Sequence, residues 1–278
     1  MPLPVLSVAQ MREWESATWA AGQTEAEVIR RVGLAVARRA SELTAEGAFI
    51  LLLAGKGHNG DDARAAVAPL TGAPASSPAL DARTRKVGED AGAPRQVQCL
   101  NVTDPAAQLG ELQTALARKP ALVVDALFGI GLNRPLDAAW QSFITTLNAA
   151  QRPVLAVDTP SGLNADTGET FGAAVQAGIT LTIGAPKRGL LAQIAWPFVG
   201  RLEVVSEVGL TTPPPTDGNL EWIQPADFAE FPPAPHAAAH KGDFGHLAIV
   251  AGSLGFHGAA VLAARGAQRA GRSEEHTS

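Results

Sequence analysis

The chain is almost free of cysteine: among its 278 residues only Cys99 is one. No internal disulfide can form, and a reducing, cytoplasmic setting is expected. Nor is there a run of ~18 consecutive apolar residues, so no membrane-spanning helix and no membrane partner are expected. The N-terminus, MPLPVLSVAQ, lacks the basic start and long apolar stretch of a secretory signal. Charge is sparse, at 18% of residues, and the formal net charge is -5 with a pI of about 5.7. That excludes a broad nucleic-acid-binding face while leaving room for a local basic site. What abounds is hydrophobic residue, 46% of the chain, which suits a buried core in one large domain or two smaller ones.

The apolar residues are organised. Ser7 and Gln10 form a capping box ahead of a first helix over MREWESATWA, and Thr24 with Glu27 repeats the pattern before AEVIRRVGLAVARRA. There Val28, Val32, Ala35, Val36 and Arg39 follow helical spacing. Phe49–Ala54 (FILLLA) is short, apolar on both faces and followed by glycine, as a buried parallel strand reads. A helix from Asp61 or Asp62 toward Pro69 is expected next. Helices over 105–119 and 135–150 then alternate with strands ALVVD, ending at Asp125, and VLAVD, ending at Asp158. Residues 178–183 and 202–205 add further strands. A second strand belongs within 72–100, with PALD and VQCL as candidates. Such alternation implies an α/β fold, a mostly parallel sheet with helices on both faces. Ligands then bind at the carboxyl ends of the strands.

Three strand ends carry polar loops: GKGHNGDD, ALFGIGLNRP after Asp125, and TPSGLNADTG after Asp158. Gly55, Gly57 and Gly60 fit the dinucleotide pattern G-x-G-x-x-G, with Ala63 at the small position and Asp81 about 20 residues on. Asp61 and Asp62 oppose that reading, because carboxylates would occupy and repel an anion site at a helix N-terminus. A hard cation is a better guest, since Asn59, Asp125 and Ser161 offer only oxygen donors.

GKGHNGDDARAAVA, VVDALFGIGLNRP, AVDTPSGLNADTG and the later TLTIGAPKRGLL together resemble the YjeF N-terminal family, the NAD(P)H-hydrate epimerases. The likeness covers roughly residues 5–210, with four motifs in the family's order. It implies a Rossmann-like three-layer α/β/α sandwich. It also implies interconversion of the R and S forms of NADHX and NADPHX, the hydrated reduced cofactors, as small-molecule substrates. Potassium is implied on Asn59, Asp125 and Ser161. Substrate is implied against His58, Asn59, Gly60, Asp61 and Asp62, against the loop Gly129, Ile130, Gly131, Leu132, Asn133, Arg134 and Pro135, and against Asp158. Two positions depart from the family's N-N-G-G-D loop: His58 stands for the first asparagine and Asp61 for the second glycine. Ala63 also stands where glycine is common. An aspartate for glycine is expected to strain the turn or crowd the substrate.

For an epimerisation at C6, which carries a hydroxyl beside the ring nitrogen, the C–O bond or the ring C–N bond must open and reclose on the other face. A proton must be delivered and recovered, and Asp158 is the expected general acid/base, a role a carboxyl can serve if partial burial favours its protonated form. The amides of Gly129–Gly131 and the Arg134 guanidinium suit phosphate contacts.

Plainer roles compete. Asp125 and Asp158 could cap turns, Asn59 could be a turn residue, and Arg134 a surface ion-pair partner. Lys187 could reach the site or be a solvated loop lysine. His236 and His240 have a zinc-compatible i, i+4 spacing but no third ligand. Ser161 is not in G-x-S-x-G, so a hydrolase nucleophile is not expected. Trp14 and Trp19 are read as packing or dimer-contact residues, within an expected homo-oligomer, and Cys99 as a small buried hydrophobe. The competing functions are a non-catalytic scaffold of the same fold and an NAD-dependent oxidoreductase.

Beyond the 1–210 domain, residues 211–240 are Pro/Ala-rich and read as a linker. Residues 241–271 resemble the opening of an NAD(P)H-hydrate dehydratase domain, an incomplete second α/β domain without its catalytic motifs, so no dehydratase activity is expected. Residues 272–278, RSEEHTS, resemble a translated sequencing adapter and are expected to be foreign; a natural polar terminus is the alternative.

Overall fold

The computed structural model describes residues 2–72, 95–210, 220–231, 236–240, 243 and 247–270. The chain divides into two compact units, Met1–Asp227 and Phe228–Ser278.

In the first unit, β1 (Leu3–Pro4) leads to α1 (Val8–Ala20) and α2 (Glu25–Glu42). The Ser7–Gln10 capping box is fully formed. Thr24 caps α2 through the Glu27 amide, but the Glu27 carboxylate turns outward to Arg30 and Arg31. The unit continues with β2 (Phe49–Ala54), α3 (His58–Thr71), β3 (Gln96–Asn101), α4 (Pro105–Ala117), β4 (Leu122–Ala126), α5 (Ala138–Ala149), β5 (Val154–Val157) and β6 (Ile179–Ile183). A short α6 (Trp196–Val199), β7 (Arg201–Val205) and β8 (Glu221–Trp222) complete it. β1 and β8 pair antiparallel.

The other six strands form one parallel sheet in the order β3-β2-β4-β5-β6-β7. VQCL supplies the second strand of this sheet; PALD and Asp81 lie outside the described residues. Side-chain alternation along β2 explains its uniform apolarity. Ile50, Leu52 and Ala54 join Val32, Val36, Ala63 and Ala66 of α2 and α3 on one face. Leu51 and Leu53 join Leu112, Phe143 and Ile144 of α4 and α5 on the other. A strand between two helical layers must be apolar on both sides, and the three-layer α/β/α sandwich follows.

Several boundaries differ from expectation. α3 begins at His58 rather than at Asp61 or Asp62, because Gly57, at φ 93, makes the turn that precedes it. α5 begins at Ala138, not 135, since the Asp137 carboxylate accepts the Trp140 amide as its N-cap.

The second unit contains α7 (Gly258–Arg269). The apolar stretch Leu247–Val250 has no strand partner among the described residues and forms no strand. An isolated strand leaves its backbone groups unpaired. His236 and His240 flank a turn rather than share a helix. His246 and residues 271–278 lie outside the described residues.

Candidate active site

The chain runs from β2 outward to β3 and returns to lay β4 on the other side of β2. At such a switch point the loops leaving β2 and β4 diverge and open a crevice. A cleft of about 960 Å³ lies here, lined by the loops after β2, β4, β5 and β6 and roofed by α1 and α2.

Two glycines let its floor close. A Cβ at Gly55 would sit 1.9 Å from the Leu127 carbonyl oxygen, and one at Gly60 would sit 2.0 Å from that of Gly55. Only glycine fits both contacts. With α3 starting at His58, helical periodicity turns Asn59, Asp62, Ala63 and Ala66 inward. Asp61 points away: its Oδ1 accepts from Arg64 at 2.8 Å, and it does not line the cleft. Its backbone is helical, so the expected turn strain is absent. His58 spends its Nε2 on Glu25 Oε1, 2.6 Å away, at the cleft mouth.

Asp125, fully buried at the end of β4, ties two loops together. Its Oδ2 accepts the Ser161 amide at 2.8 Å, and its Oδ1 accepts the Ser161 hydroxyl at 2.6 Å. Ser161 Oγ in turn accepts the Phe128 amide at 2.9 Å. Burial raises the Asp125 pKa to about 6, with the Ser161 and Leu127 bonds opposing the rise. Next to Phe128, Gly129 lets Asn59 and Asp158 converge. A Cβ added there would lie 3.3 Å from Asn59 Cβ and 3.4 Å from Asp158 Oδ2. The Asn59 amide is buried and neither its Oδ1 nor its Nδ2 has a partner. A buried amide with both ends unbonded is costly unless something is meant to bind it.

Asp158 has a left-handed backbone, φ 67, unusual for a residue other than glycine. Its Oδ1 accepts Lys187 Nζ at 2.5 Å and the Ile183 amide at 3.3 Å. Lys187 is wholly buried and also donates to Thr182 Oγ1 and the Ile183 carbonyl, at 3.1 and 2.7 Å. All three ammonium protons therefore have acceptors. The solvated-loop alternative for Lys187 is thereby overturned.

Asp62 is buried and has no ion-pair partner among the described residues. Desolvation, and then the charges of Asp158, Asp61 and Glu15, push its pKa up to about 8. Glu15, which the sequence reading passed over, lines the cleft from α1, and its pKa is raised by burial first and Asp158 second. Its signal was positional: Met11, Trp14 and Thr18 form the buried stripe of α1, and Glu15 lies beside it. Trp19 also lines the cleft, while Trp14 packs in the core. Ile130, Gly131, Leu132, Asn133, Arg134 and Pro135 form the outer wall. Arg134 is exposed there, with Lys56 and Arg12 on the same rim. Gly60, Asp125 and Ser161 support the floor without lining the cleft. Cys99 is half-buried against the core, with its thiol pKa raised by burial.

A family model described as YjeF-related protein N-terminus matches residues 25–189. The NAD(P)H-hydrate epimerase of Achromobacter xylosoxidans is 41% identical over 189 residues, 67% of this chain and 86% of that protein. The bifunctional NAD(P)H-hydrate repair enzyme Nnr of Coxiella burnetii is 35% identical over 271 residues, 94% of this chain and 53% of that protein. A bifunctional enzyme of the same name from Hyperthermus butylicus is 33% identical over 268 residues, 90% of this chain and 46% of that protein. The chain thus spans about half the length of these two bifunctional relatives.

Proposed function

The chain belongs to the YjeF-related N-terminal family, and on that membership we propose that it is an isomerase that interconverts the R and S forms of hydrated NADH and NADPH. The observation that carries the reading is the asymmetric environment of Asp158. One carboxylate oxygen is held by Lys187 and the Ile183 amide; the other lies toward Gly129 and Asn59 in the cleft. Such a carboxylate is fixed in orientation yet keeps one oxygen for a substrate proton. Its left-handed backbone is the kind of local strain that clusters at functional sites.

Asp158 acts as a general acid/base in the proton transfers at C6, and Lys187 fixes its position. The ring sits between Asn59 and the Gly129 loop, which orient C6 and limit water around it. Arg134, Lys56 and Arg12 at the rim suit the phosphates of the nucleotide. The nucleotide is the substrate, and no redox step is needed.

The residues fit a potassium ion. The unbonded Asn59 amide needs a partner, and Asp125 and Ser161 add only oxygens nearby. These three would hold the ion, which would supply fixed positive charge that organises substrate oxygens.

Neither competing function gains support. Asp61 is helical and paired with Arg64, so it gives a scaffold reading no ruined pocket to rest on. Asp62 lies buried in the first turns of α3, where a dinucleotide reading needs a pyrophosphate. The proposed domain is 1–210, with 211–240 as linker and 241–271 as the opening of a dehydratase-like segment. The proposed setting is a cytoplasmic homo-oligomer, consistent with a single, unpaired cysteine.

The test is the interconversion of purified S- and R-NADHX, followed by chromatography against the spontaneous rate, with and without potassium. Acceleration by the wild type and its loss in Asp158→Ala are expected. No acceleration by folded protein would sink the reading.

A further inference from the structure

We propose that Glu15 is a second acid/base group of the reaction, serving the face of the substrate ring opposite Asp158. The inference rests on the epimerase reading.

Inversion by opening the C–O bond needs chemistry on both faces of the carbon. Oxygen leaves from one and arrives at the other, and each event moves a proton. A single carboxylate at the end of β5 reaches one face. α1 lines the same cleft, and the carboxyl it offers there is Glu15. Its place is anomalous for a structural residue. It adjoins the core stripe of Met11, Trp14 and Thr18, yet among the described residues no hydrogen bond or ion pair holds its carboxyl. A half-buried carboxyl that faces the cleft without a partner is placed to exchange a proton there.

Its charged surroundings can be named element by element. Asp158 comes from the end of β5, Lys187 from the loop after β6, His58 and Asp62 from α3, Glu25 from α2 and Arg12 from α1 itself. Burial is the largest influence on Glu15 and Asp158 the next, and both favour the protonated acid.

The step balances. Protonated Glu15 gives its proton to the C6 hydroxyl, which departs as water with the C–O electron pair, while the ring nitrogen's lone pair forms C=N. Water adds to the other face, the C=N pair returns to nitrogen, and the released proton goes to Asp158. The opposite interconversion runs the same transfers backwards. Between turnovers in one direction the two carboxyls re-equilibrate with solvent.

The experiment compares pH profiles of kcat and KM for wild type, Glu15→Gln, Glu15→Asp and Asp62→Asn. Expected for Glu15→Gln are a kcat loss of about 10²-fold or more, a nearly unchanged KM, and loss of the alkaline limb, with partial rescue in Glu15→Asp. Retention of the wild-type rate and both limbs in Glu15→Gln overturns the proposal. So does an alkaline limb that survives there and vanishes in Asp62→Asn. In either case an inactive Asp158→Ala leaves the epimerase reading standing. Wild type without acceleration removes both.

Discussion

Lys187 Nζ lies 2.5 Å from Asp158 Oδ1, and the lysine is wholly buried while the aspartate keeps an edge in the cleft. A buried ammonium with three acceptors fixes the orientation of the carboxylate beside it.

Lys187→Met should therefore do more than remove a charge. It leaves Asp158 largely buried without its partner, and a loss of about 3–5 kcal/mol is expected from breaking a buried pair. The double change Asp158→Asn/Lys187→Met should cost less than the sum of the single changes. Urea denaturation of the three variants measures this. Strict additivity would mean the pair is not coupled.

The Asn59 amide should report the cation. In a potassium titration followed by thermal unfolding, the wild-type Tm should rise with ion concentration, since binding to the native state stabilises it. Asn59→Leu, which removes the unbonded buried amide, should show no such rise and a Tm equal to or above wild type without the ion. Equal shifts in both proteins would take Asn59 out of the ion's shell.

Asp62 gives stability an unusual pH dependence. Its carboxyl is raised from 3.8 to about 8, so between those values the native state holds a proton that the unfolded state has released. Stability is then greatest below the unfolded value and falls as pH rises through the window. One pKa unit corresponds to about 1.4 kcal/mol, so the total is on the order of a few kcal/mol. Asp125, raised to about 6, acts in the same direction only in the lower part. Asp62→Asn should therefore flatten the curve across this window and leave the least slope between pH 6 and 8, measured by denaturation in potassium-free buffer. Parallel curves for the two proteins would refute it.

The departure at Asp61 should be nearly silent. Its side chain bonds to Arg64 outside the cleft. Asp61→Gly restores the family residue, yet should cost up to about 1 kcal/mol through helix propensity and leave the epimerisation rate unchanged. A large gain in rate would show that Asp61 crowds the substrate after all.

The sequence by itself determined the layers and the edge on which the site lies. FILLLA, ALVVD and VLAVD are apolar on both faces because each is enclosed by helices, and this signal is local and periodic. Asp125, Asp158 and Asn59 were legible for the same reason: strands ending in polar loops must present them at one sheet edge. The start of α3 was not legible, because a Gly-rich loop and two aspartates hide the turn that Gly57 makes. That shift of three or four residues in the helix start decided which aspartate faces the cleft, since rotation along a helix separates Asp61 from Asp62 by about 100°. Lys187 and Glu15 needed the tertiary structure outright. The first lies 29 residues from Asp158, and the second sits on a helix whose face acquires meaning only once it roofs the cleft. Burial, desolvation and mutual charge arise from chain segments distant in sequence, and they set the protonation of Asp62 and Glu15, which local spacing could not reveal.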